Sequence, residues 1–269
     1  NGACGSILVV LETHVSNGVV CKYACEAIAG LTVNSLQNRN IIGNSSSTNA
    51  NALLLKALEI HKEDESIIAV VLHCIATLAD GSPVNQNAFI NYGLCGILVK
   101  CLSDHTSYPK RYDGSNDNTS NDNTSNGNKN NNTGEGLEGG KKNASNNDLK
   151  TLDSTSDSLS SIPSSPEHDK LLILQWAALC VSRMLTVSSH ASNNSNYLSK
   201  ESLQRIFAEE GACIAITATL DANITHPLIA EYCLKAIAAL ASDFSENATI
   251  FIAIAASEAI CRTIKYHSH

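Results

Sequence analysis

One block of apolar text recurs along the 269 residues, and this recurrence limits what the chain can become. Ala24-Cys25-Glu26-Ala27-Ile28-Ala29-Gly30-Leu31 aligns with Val71-Leu72-His73-Cys74-Ile75-Ala76-Thr77-Leu78 and with Cys233-Leu234-Lys235-Ala236-Ile237-Ala238-Ala239-Leu240. A weaker copy runs over residues 176–185. A second block precedes each, at residues 7–14, 54–61, 97–102 and 214–220. Leu58 follows Leu11 by 47 residues and precedes Leu102 by 44. A short third element closes each unit, at residues 36–42, 84–90, 203–207 and 245–251. A unit of this length cannot hide its own apolar faces, so its neighbours must bury them.

The blocks read as helices. The chain is 43% hydrophobic but only 4% aromatic, and its apolar residues are mostly Ala, Ile, Leu and Val. That mixture suits close-packed helices better than a β-sandwich, where aromatic and β-branched residues dominate. Gly93 and Gly211 stand where a tight turn joins a short helix to the next. Each unit therefore orders a short helix, a Gly turn, a second helix ending in Leu, a loop, and a long A-I-A-x-L helix.

This order resembles the armadillo repeat over about residues 1–102 and 167–265. The resemblance implies an all-α fold, a right-handed superhelical solenoid of about four repeats plus a partial terminal one. A HEAT array is the alternative, but its repeats have two helices and a Pro-bearing first helix. The text opens mid-pattern at Gly2-Ala3-Cys4 and is still apolar over 252–264, so flanking repeats or domains are expected.

The pattern stops over 103–166, a stretch rich in Asn, Ser, Asp, Gly and Thr. Such text buries too little apolar surface to offset its ordering entropy, so a disordered insertion is expected there. It carries the sequon Asn143-Ala144-Ser145 and the proline-directed pair Ser165-Pro166, both of which arise readily by chance in this composition.

Other chemistry finds little support. A formal net charge of -8 argues against a basic face for nucleic acid. The ten cysteines form no CxxC pair and no zinc spacing. They read as small buried hydrophobes in a reducing compartment, cytoplasmic or nuclear. No apolar run reaches 18 residues, so no membrane span is expected. No phosphate-binding, metalloprotease, nucleophile-elbow or dinucleotide motif occurs, and Cys21 and Cys25, one turn apart, have no base placed beside them. His14, His61 and His105 recur at the ends of second helices, where the helix dipole favours them. No catalytic residue, metal or cofactor is expected.

Function follows from the resemblance. In armadillo proteins the third helices line a concave groove that holds an extended protein or peptide segment. Helical spacing here gives three outward ladders: Lys22, Ala69, Gln175 and Glu231; Glu26, His73, Leu179 and Lys235; Gly30, Thr77, Arg183 and Ala239. Ile28, Ile75, Val181 and Ile237 take the opposite, core side. The candidate partner-binding residues are Lys22, Glu26, His73, Thr77, Gln175, Arg183, Glu231 and Lys235. Their mixed charge suits a partner of mixed polarity. The expectation is a non-catalytic interaction scaffold; the alternative is the regulatory repeat region of a larger multidomain enzyme. A nuclear transport adaptor is disfavoured, because importin-α-type repeats place Trp and Asn four apart. The equivalent pairs here are Glu26/Gly30, His73/Thr77, Leu179/Arg183 and Lys235/Ala239, and Trp176 lies off that ladder.

Overall fold

The computed structural model describes residues 2–44, 49–106, 165–186 and 197–268. Among these the regular structure is wholly α-helical, in one compact unit. The helices are α1 (Gly2–His14), α2 (Gly18–Thr32), α3 (Leu36–Gly43), α4 (Ala50–Ile60), α5 (Glu65–Ala79), α6 (Pro83–Asn91) and α7 (Leu94–His105). They continue with α8 (Pro166–Met184), α9 (Lys200–Glu209), α10 (Ala212–Ala222), α11 (Pro227–Ala241), α12 (Ser245–Ala253) and α13 (Ala256–His267). A short, a medium and a long helix succeed one another three times, from α3 to α11. The pair α1–α2 precedes this series and α12–α13 follows it.

Local chemistry sets the starts of these helices. Asn17, Ser35, Asn49, Asp64, Ser165 and Ser199 each stand at an N-cap, and each side chain accepts a backbone N–H from the first turn. The Ser165-Pro166 pair thus has a structural reason: a capping hydroxyl followed by proline at the first helical position. Gly93 and Gly211 begin α7 and α10 at φ +82° and +89°, the left-handed turn their sequence context predicts. Ala255 occupies the same slot before α13 at φ +55°, where a Cβ is costly.

The heaviest packing runs along one row of long helices, α2 against α5, α5 against α8 and α8 against α11. Ile28, Ile75, Val181 and Ile237 all lie in the core of this row, as their spacing predicts. The second helices lie beside it, α7 against α8 and α10 against α11. Leu11, Leu58, Leu102 and Leu220 occupy equivalent buried positions on α1, α4, α7 and α10.

Polar side chains from the short helices tie the row together. The last carbonyls of a helix have no partner within it. Asn38, Asn85 and Asn247 donate to Leu31, Leu78 and Leu240 respectively, at 2.7, 2.9 and 3.1 Å. Each thereby satisfies the end of its own unit's long helix. Asn85 and Asn247 also donate to the preceding short helix, at the carbonyls of Arg39 and Gln204. The next residue along reaches the following unit. Gln86 donates to Arg183 and Thr186, and Gln204 to Ala239 and Ser242. Arg39 does the same through its guanidinium, bonding Thr32, Val33 and Asp80 carbonyls and pairing with the Asp80 carboxylate at 3.4 Å.

Histidines at the ends of α4 and α13 serve as further ties. His61 Nε2 lies 2.7 Å from the Val15 carbonyl and His267 Nε2 lies 2.8 Å from that of Ile224. The partner in each case belongs to the preceding unit, so the contact is between units rather than with the helix's own end. His105 Nδ1, 2.9 Å from Cys101 O, bonds within its own helix.

The boundaries of the interruption shift slightly. α7 continues beyond residue 102 to His105, and α8 begins at Pro166. The expected disordered insertion otherwise falls in 107–164, outside the described residues, as do the sequon residues 143–145.

Candidate interaction face

The four long helices carry the residues that sequence spacing assigns to a groove. Glu26, Glu231 and Lys235 are exposed; Lys22, His73 and Arg183 are half-buried. Two of the candidates do not project outward. Thr77 is 1% exposed; its hydroxyl donates to Cys74 O at 2.8 Å and accepts from Thr32 Oγ1 at 3.1 Å, sealing α2 against α5. Gln175 is 9% exposed, and Ala69 and Leu179 on the same ladders are buried as well. The reason is packing: α5 and α8 have a long helix on each side, so positions beside the outward stripe are covered. On α2 and α11 the equivalent positions Lys22 and Glu231 retain access.

Arg183 is half-buried and tethered. Its Nη1 donates to Ala76 O at 3.1 Å, and its Nε lies 3.9 Å from Asp80. Asp80 thus stands between Arg39 and Arg183 and ties three units at the C-terminal ends of their long helices. This pairing makes Arg183 first a brace of the face.

The feature that spacing alone does not reveal is a row of rings. Trp176 stacks on His73 with centroids 4.1 Å apart and planes 25° apart. Tyr232 continues the row, 6.4 Å from Trp176 and inclined by 28°. The row crosses α5, α8 and α11. Trp176 and Tyr232 are equivalent residues one position before the Ala177 and Cys233 core, and Tyr23 holds that position on α2 with 58% exposure. Aligning the copies shows the signal: Tyr23, Val70, Trp176 and Tyr232 fill one column.

Charge on the face is mutually compensated. Lys235 Nζ lies 2.5 Å from Glu231 Oε1 and 5.6 Å over the Tyr232 ring. Burial, with a smaller contribution from the Arg183 charge, pushes the His73 imidazole below its usual pKa. It is therefore neutral at pH 7, and its stack on Trp176 is one of uncharged rings.

Away from this face, a recess of about 390 Å³ lies between α4, α5 and α7, lined by Glu59, Glu65, Lys100, Cys101 and His105 among others. His105 Nε2 is 3.9 Å from Glu65 there. Burial raises the Cys101 thiol to about 11, so at neutral pH it is protonated and is no nucleophile. Among the described residues no group of three or more His, Cys, Asp or Glu gathers as a metal site. No single described helix is long and apolar enough to cross a membrane. The chain matches no family model, no curated protein and no solved structure.

Proposed function

We propose that the chain is an armadillo-type solenoid whose long helices form the groove for a partner protein segment, and that it acts as a non-catalytic scaffold. The observation carrying this reading is the continuous row from α2 to α11, with Tyr23, Glu26, His73, Trp176, Tyr232 and Lys235 accessible along it. Partly exposed aromatic side chains are what binding surfaces use as anchors, because they bury large area at small entropic cost. The buried amide and guanidinium ties fix the spacing between units, so the row meets a ligand preorganised. Cytoplasmic or nuclear residence belongs to the same proposal and is supported by ten free thiols, most of them buried.

The test is photo-crosslinking in lysate of the cells that make the protein. A photoreactive residue at Glu26 or Lys235 is expected to capture a partner that one at Lys56 or Lys100, exposed on the second helices, does not. Capture from Lys56 and Lys100 alone would overturn the proposal.

A further inference from the structure

We infer that the seat between α11 and α13, at the far end of the row from α2, binds an amphipathic helix of a partner protein, patterned like the chain's own long helices. This seat lies apart from the groove and does not depend on it. Gly211 and Ala255 open α10 and α13 with the same left-handed residue, which aligns the two helices position by position. On α10 the stripe Cys213, Ile216, Thr217 and Leu220 is buried. Its counterpart on α13 is Ser257, Ile260, Cys261 and Ile264, spaced i, i+3, i+4 and i+7 as one helix face. There Ile260 is half-buried and the other three are exposed, Ile264 by 58%.

α13 is nonetheless held in the place of a second helix. Ala256, Ala259 and Thr263 are buried, Arg262 pairs with Asp221 on α10, and His267 Nε2 lies 2.8 Å from Ile224 O. The stripe is bare because, among the described residues, no long helix lies over it. The row itself shows what covers such a stripe. Leu72 and Ala76 on α5 are buried under α8, which reaches their carbonyls through Cys180 Sγ at 3.3 Å and Arg183 Nη1 at 3.1 Å. Their equivalents on α11 are Leu234, half-buried, and Ala238, exposed. α11 and α13 thus offer the same two walls that α8 and α10 offer to α11. The occupant's pattern is read from α11, a helix of 15 residues that buries Ile229, Ala230, Cys233, Ala236, Ile237 and Leu240. Large and small apolar residues on one face are how a helix lies down in an apolar groove.

The missing tie on α12 marks this helix as a separable partner. Within the row a polar side chain of the short helix pins the end of the next long helix: Arg39 bonds Asp80 O, Gln86 bonds Arg183 O and Gln204 bonds Ala239 O. Asn247 repeats on α12 the bond that Asn85 makes on α6, so Ala248 holds the position of Gln86. A methyl group donates nothing, so a helix in this seat is held by burial alone. It enters and leaves without breaking a buried hydrogen bond. A second copy of the chain is a poor fit, because its α2 would arrive with α1 packed beside it, in the place α13 already fills.

The experiment uses the full chain and a dye-labelled peptide of the α11 sequence, residues 227–241 with Cys233→Ala, beside a scrambled peptide of the same composition. Fluorescence anisotropy is expected to show saturable binding of the ordered peptide, with a gain of helicity by circular dichroism, since so short a helix is marginal when free. Its binding is expected to slow alkylation of the exposed Cys261 by iodoacetamide at least tenfold. Ile264→Asp is expected to weaken binding about tenfold or more. Ser257→Glu, on the same stripe, serves if that variant does not fold. Lys56→Ala on α4 is expected to change nothing. Equal binding of the scrambled peptide, binding indifferent to the stripe variants, unaltered alkylation of Cys261, or no binding at millimolar peptide overturns the inference. Self-association of the chain alone, abolished by Ile264→Asp, would make a second copy the occupant and overturn the partner class. Failure of the photo-crosslinking at Glu26 and Lys235 is a separate result that strikes the groove and leaves this seat standing.

Discussion

Gly43 and Asn85 form a pair whose coupling tests the account of the inter-unit ties. Asn85 is fully buried and donates to Leu78 O and Arg39 O, while its Oδ1 accepts from Asn51 Nδ2. A Cβ built on Gly43 runs into Asn85 Oδ1 and lies 2.7 Å from its Cγ. Asn85→Ala removes three hydrogen bonds and strands buried groups, a loss of about 3 kcal/mol at roughly 1 kcal/mol each. Gly43→Ala forces Asn85 out of its position at about 2–3 kcal/mol of overpacking, less about 1 kcal/mol gained in helix propensity. Independent effects would sum to about 4–5 kcal/mol, within about 0.5 kcal/mol. In the double variant the collision is gone and the propensity gain remains, so about 2–3 kcal/mol is expected, a coupling of about 2 kcal/mol. Urea unfolding followed at 222 nm, with equal slopes across the four proteins, measures it. Additive losses would refute the claim that Gly43 is there to let Asn85 cross between units.

Further outcomes follow from the same structure. Leu220→Ala is expected to cost about 2–4 kcal/mol and the equivalent Ile264→Ala under about 1 kcal/mol, because the first is 0% and the second 58% exposed; thermal melts separate them. Ala255→Gly, relieving the left-handed backbone at φ +55°, is expected to raise stability by about 0.5–1 kcal/mol in the same assay. For His73 the folded pKa lies below the unfolded 6.5, so the unfolded chain binds the proton first. Stability is therefore full above pH 6.5 and falls as pH drops through the folded value. Fluorescence of Trp176, the sole tryptophan, is expected to titrate below 6.5 in wild type and to lose that step in His73→Gln. With a thiol reagent on the native protein, exposed Cys261 is expected to react promptly, while Cys180 and Cys233, buried and with raised pKa, wait for unfolding. Fast reaction of Cys180 would contradict its place between α5 and α8.

The helices and their order were legible because each unit states the same pattern again, and a core position such as Ile75 is confirmed by Ile28 and Ile237 in its column. The outward ladder was less legible for a physical reason. Spacing within one helix gives the angle of a side chain but not what the neighbouring helix covers. Thr77 and Gln175 have angles close to those of Glu26 and Glu231, yet α5 and α8 are flanked on both sides and their ladder positions close over. The amide ties were hidden differently: Asn85, Gln86, Gln204 and Asn247 look like solvent-facing text in a short helix. Their burial makes sense only when the unpaired carbonyls at the end of the long helix are counted, which a hydropathy pattern does not do.

That counting also explains why units in this chain hold a fixed spacing. Apolar packing between Ala, Ile, Leu and Cys is permissive, and helices so packed slide at small cost in shape. A Gln86 amide bonded at once to Ala79, Arg183 and Thr186 carbonyls does not slide, since any displacement strands a buried acceptor. Hydrophobic burial therefore supplies the cohesion between α5 and α8, and the polar ties supply the register. The ring row depends on register: His73 and Trp176 sit on different helices, and a stack at 4.1 Å survives only if α5 and α8 keep their offset. Gln86→Ala should then disturb the site from its far end. Its expected signature is a red-shifted, more accessible Trp176 under acrylamide quenching at temperatures where far-ultraviolet helicity is unchanged. Quenching identical to wild type would mean that burial alone sets the offset.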